Sequence, residues 1–236
     1  THALLNDKLK FNKLGLLIID EEQHFGVKQK EKIKSLNSNV HILSLTATPI
    51  PRTLQMSLVG LRDLSIISTA PVNRQLIKTS ILSFDVEIIN QAIISESDRD
   101  GQVYYVCPRI KELDEVEEYL KNELPNISYK IAHGQMTPKD LENVMVDFYN
   151  NEFTVLLCTT IVESGLDLQR TNTMIVHKSD KFGLSQLYQL RGRIGRSNIE
   201  AYCYYTISDI NGITENANKR LKLLKQLDGR GSSFNL

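Results

Sequence analysis

The chain has 236 residues, 28 Lys+Arg against 28 Asp+Glu, and 41% hydrophobic residues. That suits one or two packed domains of about 100–150 residues and excludes disordered and fibrous classes. The longest apolar runs fall far short of the ~20 residues that cross a bilayer, and no basic stretch leads into an apolar one at the start, so neither a membrane span nor a secretory signal is predicted.

Three widely spaced cysteines (Cys107, Cys158 and Cys203) match neither a disulfide framework nor a zinc pattern, and they suit a reducing cytoplasm. The zero net charge hides a gradient. Residues 1–72 carry 9 basic and 6 acidic groups, residues 73–205 carry 14 and 19, and residues 206–236 carry 5 and 3. None of these is the dense basic face that holds nucleic acid by charge alone. Any DNA contact therefore falls to hydroxyls, backbone amides and a few arginines.

Apolar runs alternate with amphipathic stretches almost from end to end. Buried strands are predicted at 14–19 and 41–45, with a charged helix over 27–36 between them. A polar, proline-containing break at 68–74 follows. Beyond it, strands are predicted at 78–84, 102–106, 129–133, 155–158, 173–176 and 202–207. Helices are predicted at 86–97, 111–124 and 138–150, the last with Thr137 as its cap and Pro138 at its first position. Continuous apolar strands alternating with helices predict an α/β fold of parallel sheets covered on both faces. The break sets expected domains of 1–72 and 73–208, followed by a tail, 209–236, whose residues 214–227 read as one amphipathic helix.

Asp20-Glu21-Glu22-Gln23 closes the first strand. Ligands of open parallel sheets bind outside the carboxyl ends of the strands, where one carboxylate can hold Mg²⁺ and a neighbour can orient an attacking water. A solvated acidic turn is the plain alternative. Thr46-Ala47-Thr48-Pro49 closes the second strand, with two hydroxyls at the same edge or simply a polar strand end. Thr159-Thr160-Ile161-Val162-Glu163-Ser164-Gly165-Leu166-Asp167 follows the strand at 155–158. Its threonines can donate to a phosphate, and it can equally be a threonine-rich turn. In Gln189-Leu190-Arg191-Gly192-Arg193-Ile194-Gly195-Arg196, a helix would place Gln189, Arg193 and Arg196 on one face. Two glycines inside a helix cost about 1 kcal/mol each relative to alanine. Close approach of another backbone or of a phosphate would account for them, and arginine's planar fork suits phosphate. His133, before Gly134 at a strand end, can touch a phosphate or be a satisfied loop histidine.

These four blocks, in this order, resemble the later motifs of superfamily 2 helicases and translocases: motif II at Asp20–Gln23, motif III at Thr46–Thr48, motif V at Thr159–Asp167 and motif VI at Gln189–Arg196. Phe25-Gly26-Val27, the string from Thr46 through Pro49-Ile50-Pro51-Arg52-Thr53 to Leu54, and Phe182-Gly183-Leu184 resemble two sister groups. These are the bacterial transcription-repair coupling factors and the branch-migrating fork helicases. His133-Gly134-Gln135-Met136 and Leu61-Arg62-Asp63-Leu64-Ser65-Ile66-Ile67 resemble the coupling factors specifically. The family implies a motor of two RecA-like lobes with ATP between them, acting on double-stranded DNA. It also implies displacement of stalled RNA polymerase and recruitment of the damage-recognition protein of excision repair, through modules not present here.

Carried over by position, the resemblance implies that Asp20 holds Mg²⁺ and Glu21 orients the hydrolytic water. Glu22, Gln23, Gly165, Asp167, Gln189 and Arg193 border the nucleotide, and Arg193 and Arg196 reach its γ-phosphate. Thr1, His2, Thr46, Thr48, His133, Thr159 and Thr160 contact or couple to DNA. Residues from Thr214 onward resemble the start of a helical hairpin that couples the lobes to DNA movement.

A phosphate cradle of the form Gly-x-x-x-x-Gly-Lys-Ser/Thr is missing, because none of the 12 glycines precedes a lysine. The chain also opens Thr1-His2 without a methionine. A piece of a longer motor is therefore expected, holding the back of lobe one, all of lobe two and a stub, and unable to hydrolyse ATP alone. The fork helicases, a metal-dependent hydrolase using the acidic cluster without nucleotide, and a non-catalytic nucleic-acid-binding module remain the alternatives.

Overall fold

The computed structural model describes residues 12–21, 25–35, 40–45, 63, 65, 67, 76–163, 168–208 and 213–226. The chain divides into two compact units, Thr1–Ile66 and Ile67–Leu236. The polar break at 68–74 lies outside the described residues.

In the first unit, β1 (Leu16–Asp20) and β2 (His41–Leu45) pair in parallel, with Ile18 beside Leu43 and Asp20 beside Leu45. The charged helix α1 (Val27–Ser35) connects them. Ile19 and, on α1, Ile33 are buried. The expectation of two buried strands fails here. Leu16, Ile18, Leu43 and Leu45 are 52, 57, 47 and 42% exposed. Side chains alternate across a strand, so these four share one face of the pair, and that face is open.

The second unit is a six-stranded sheet of β3 (Ile77–Ser83), β4 (Gln102–Val106), β5 (Tyr129–Ala132), β6 (Val155–Cys158), β7 (Thr171–Val176) and β8 (Ala201–Ile207), in the order β3-β8-β7-β4-β6-β5. Every pairing is parallel. Alternation assigns the core to two layers. Val103, Tyr105, Val155, Leu157 and Ile175 pack with α2 (Val86–Asp98) and α3 (Lys111–Glu123). Tyr104, Val106, Leu156, Cys158, Met174, Val176, Cys203 and Tyr205 point the other way. There they meet α4 (Pro138–Tyr149), α5 (Leu184–Arg191) and α6 (Glu215–Gln226). With both faces covered, the strands can be apolar throughout, as their sequences predict.

Local chemistry fixes the ends of these elements. Asp85 caps α2 by accepting from the Ile88 amide at 3.1 Å. Thr137 caps α4 by accepting from the Asp140 amide at 3.2 Å, with Pro138 at the first position as expected. Buried Gln102 donates to the carbonyls of Phe148 and Phe153, at 2.7 and 3.1 Å, and so ties the end of α4 to the sheet. Buried Glu96 accepts from Arg99 and from the Thr173 hydroxyl. Among the described residues, no helix is long and apolar enough to cross a membrane.

Candidate functional site

The expected site residues fall in both compact units. In the first, the ladder of β1 and β2 runs until Asp20, which leaves that carboxylate exposed at the carboxyl end of β1. Glu21 follows with φ +52, a left-handed conformation rare in a non-glycine residue, while its amide donates to the Leu45 carbonyl at 3.0 Å. The backbone therefore turns sharply as the strand ends, with two consecutive carboxylates at the turn. Glu22, Gln23, Thr46, Thr48, Thr1 and His2 lie outside the described residues.

The second unit brings three expected residues to the carboxyl edge of its sheet. Ala132 pairs with Cys158, so His133 and Thr159 leave adjacent strands side by side. The Thr159 amide donates to the Ala132 carbonyl at 3.3 Å. Thr160 opens a single 3₁₀ turn, Thr160–Glu163, that packs against α5. His133 is half-buried, and its Nδ1 is buried without a hydrogen-bond partner. Gly165 and Asp167 lie outside the described residues.

The same edge carries His177 and Lys178 after β7. Burial, reinforced by the adjacent Lys178 charge, pulls the His177 imidazole down to about 4. Lys178, at φ +48, reaches Glu115 of α3 with N–O 2.9 Å, and that hydrogen bond holds the Glu115 carboxyl below its usual range. Asp180 accepts from both the amide and the hydroxyl of Ser208, at 3.1 and 3.0 Å. Burial opposes its ionisation, yet these bonds and Lys181 keep its pKa low.

From this edge α5 descends the sheet, and the structure corrects the continuous arginine face. The helix ends at Arg191, with Gly192 as its cap, and the chain turns as the Arg193 amide donates to the Leu190 carbonyl at 2.9 Å. Gln189 is therefore helical, while Arg193 and Arg196 stand on the loop that follows. Gly195 has φ +69, and a Cβ there would lie 3.1 Å from Ile77 and 3.2 Å from Ala201. Close packing against the first residues of β3 and β8 thus accounts for this glycine, and a phosphate is not needed to explain it. The arginine loop consequently lies by the amino ends of these strands, whereas Thr159, Thr160 and His133 occupy the carboxyl edge.

One residue inside the motif escaped the sequence reading. Arg191 is buried, donates from Nη1 to the Leu224 carbonyl of α6 at 3.0 Å, and lies over the Tyr188 ring at 5.1 Å. The signal was present: Leu187, Leu190, Arg191 and Ile194 are spaced i, i+3, i+4 and i+7, which puts the arginine on the core face. On α6 itself, Arg220 donates to the Asp180 carbonyl at 3.1 Å.

Residues 85–198 match the model of the helicase conserved C-terminal domain. RecG bound to a three-way DNA junction superposes with a TM-score of 0.72 and 35% identity, over 94% of this chain and 29% of that one. Yeast Dbp5 bound to RNA and ADP BeF3, at a TM-score of 0.70 and 16% identity, shares the fold. A transcription-repair-coupling factor from Rickettsia prowazekii is 53% identical across all 236 residues. The resemblance is to transcription-repair-coupling factors. Those of Buchnera aphidicola and Staphylococcus aureus are 51% and 48% identical, again over the whole chain. The chain spans 20–29% of the length of these coupling factors.

Proposed function

We propose that this chain is part of an ATP-driven double-stranded DNA translocase of the coupling-factor type, which displaces stalled RNA polymerase and hands the lesion to excision repair. The 53% identity to a coupling factor over the full chain carries this reading, against 35% to RecG. That difference favours the coupling factor over a fork helicase. The geometry supports a motor because the acidic strand end and the arginine loop belong to different compact units.

In this reading the motor uses ATP with Mg²⁺. Asp20 fits the metal, since an exposed carboxylate at a strand end offers the hard oxygen that Mg²⁺ prefers. The ion supplies charge neutralisation on the phosphates. Glu21 orients the attacking water, with Glu22, Gln23, Gly165, Asp167 and Gln189 bordering the nucleotide. Arg193 and Arg196 bring positive charge to the phosphoryl group as it leaves. Thr1, His2, Thr46, Thr48, His133, Thr159 and Thr160 are assigned to DNA contact or coupling by their motif positions. Arg191 and Arg220 tie α6 to the rest of the second unit through the Leu224 and Asp180 carbonyls. The chain alone lacks the loop that cradles the β- and γ-phosphates, so no turnover is expected from it.

Arg196 is the decisive test, made in the full-length protein by measuring DNA-stimulated ATPase beside nucleotide affinity. An arginine finger is worth ~10³–10⁵ in rate because it meets charge that develops only in the transition state. Arg196→Ala and Arg196→Lys should both lose most turnover and little affinity, since lysine keeps the charge without the planar fork. Lost affinity with unchanged turnover would reduce Arg196 to a binding residue and remove its catalytic role.

A further inference from the structure

Between Gly192, which caps α5, and Ala201, which opens β8, the arginine loop is held at the amino ends of three strands. Ile194 is fully buried, and Gly195 presses on the first residues of β3 and β8. Two residues later the chain is tied to β7. The Ser197 hydroxyl donates to Asn172 Oδ1 at 2.9 Å and accepts from the Ile199 amide at 3.3 Å. Asn172 is 1% exposed, and its own side-chain amide donates to the Arg170 carbonyl at 3.2 Å, which turns its oxygen toward the serine. Arg196 stands between these two anchors, one residue from each.

An asparagine here is an unusual choice. By alternation Asn172 shares its side of β7 with Met174 and Val176, both core residues. Asparagine is depleted in strands, and burying its amide costs hydration that a hydrogen bond must offset. An apolar residue would pack the strand but leave the loop free to slide and turn. A hydrogen bond fixes angle as well as distance. An arginine that meets charge in a transition state needs that, since a displacement of about 1 Å can cost ~10²-fold in rate.

We propose that Asn172 and Ser197 are positioning residues for Arg196: the bond between them latches the loop to β7 and fixes the backbone from which the guanidinium is aimed. Both lie outside the four motif blocks.

Because this role presupposes the catalytic reading of Arg196, the variants are compared with Arg196→Ala in the full-length protein, by DNA-stimulated ATPase. Ser197→Ala removes the donor at a half-buried position with little loss of packing. Asn172→Leu removes the acceptor at nearly constant volume. Each should lower turnover about fivefold, the size of one neutral hydrogen bond, with the KM for ATP within about twofold of wild type. Together they should do no worse than the poorer single variant, because the same bond is lost in all three. In an Arg196→Ala background, Ser197→Ala should cost nothing further. Wild-type turnover in Ser197→Ala beside an inactive Arg196→Ala overturns the latch and leaves the functional reading standing. A loss seen only in KM, one that multiplies in the double variant, or one that persists in the Arg196→Ala background overturns it equally, since binding or packing would then explain these residues. Wild-type turnover in Arg196→Ala overturns the functional reading, and the latch with it.

Discussion

Gly195 combines a backbone need with a packing need. Its φ of +69 is costly for any residue with a side chain, and a new methyl would press on Ile77 and Ala201 at once. Gly195→Ala should destabilise the second unit by about 2 kcal/mol, read as a lower urea midpoint with an unchanged slope. His177 makes a different demand. Its imidazole titrates near 4 when folded and near its ordinary 6.5 when unfolded. Between those values the unfolded chain binds a proton that the folded chain refuses. Stability is therefore lost as pH falls through that window, at up to about 1.4 kcal/mol per pH unit. Lys178, Glu115 and Asp180 are the charges that act on it. Melting temperatures taken from pH 7 to 4 should fall for the wild type, and His177→Gln should flatten that part of the curve. Residue types were legible here where one side chain carries one task, as with the cap at Thr137. They were not legible at Gly195, because a glycine's reason lies in what it touches across the fold, and Ile77 is far away in sequence.

Among elements, the strands and helices of the second unit fall within two residues of their expected bounds, since apolar runs bounded by polar residues leave little choice. The exception is α5. Its sequence reading continued the helix through Gly192 for the sake of a three-residue spacing, although a glycine after a periodic run is itself a stop signal. Reading Gln189, Arg193 and Arg196 as a phosphate-facing stripe passed over Arg191, which faces inward and joins α5 to α6. Arg191→Leu keeps an apolar contact while removing the donor to the Leu224 carbonyl. Amide exchange across Glu215–Gln226 should then quicken about tenfold, the effect of losing one charged hydrogen bond. Unchanged protection would show that Leu221, Leu224 and Arg220 hold the helix by themselves.

At the scale of the whole chain, the two units differ in how far their sheets are covered. The second has helices on both faces, whereas the pair β1–β2 leaves Leu16, Ile18, Leu43 and Leu45 in water. Two short strands with one apolar face in solvent are marginal by themselves. Calorimetry should therefore show two transitions, the first belonging to Thr1–Ile66, and a hydrophobic dye should bind before the second. Replacing Ile18 and Leu43 by threonine should weaken dye binding and leave the second transition in place. This open face was invisible in the sequence, because an apolar strand reads the same whether or not a partner layer is present.

The path of α5 carries one more consequence. Its eight residues rise about 12 Å, from the edge that holds Thr159 and Thr160 toward the loop that holds Arg193 and Arg196. Both ends are anchored, one by the 3₁₀ turn and the other by Gly195 wedged against Ile77 and Ala201. One inserted residue would rotate everything beyond it by about 100° and could not be absorbed at either anchor. Spelling can drift on the outer side of this rod, but its residue count cannot. Insertions and deletions should be absent between Leu184 and Gly195 in any working copy of the motor, even where substitutions are common.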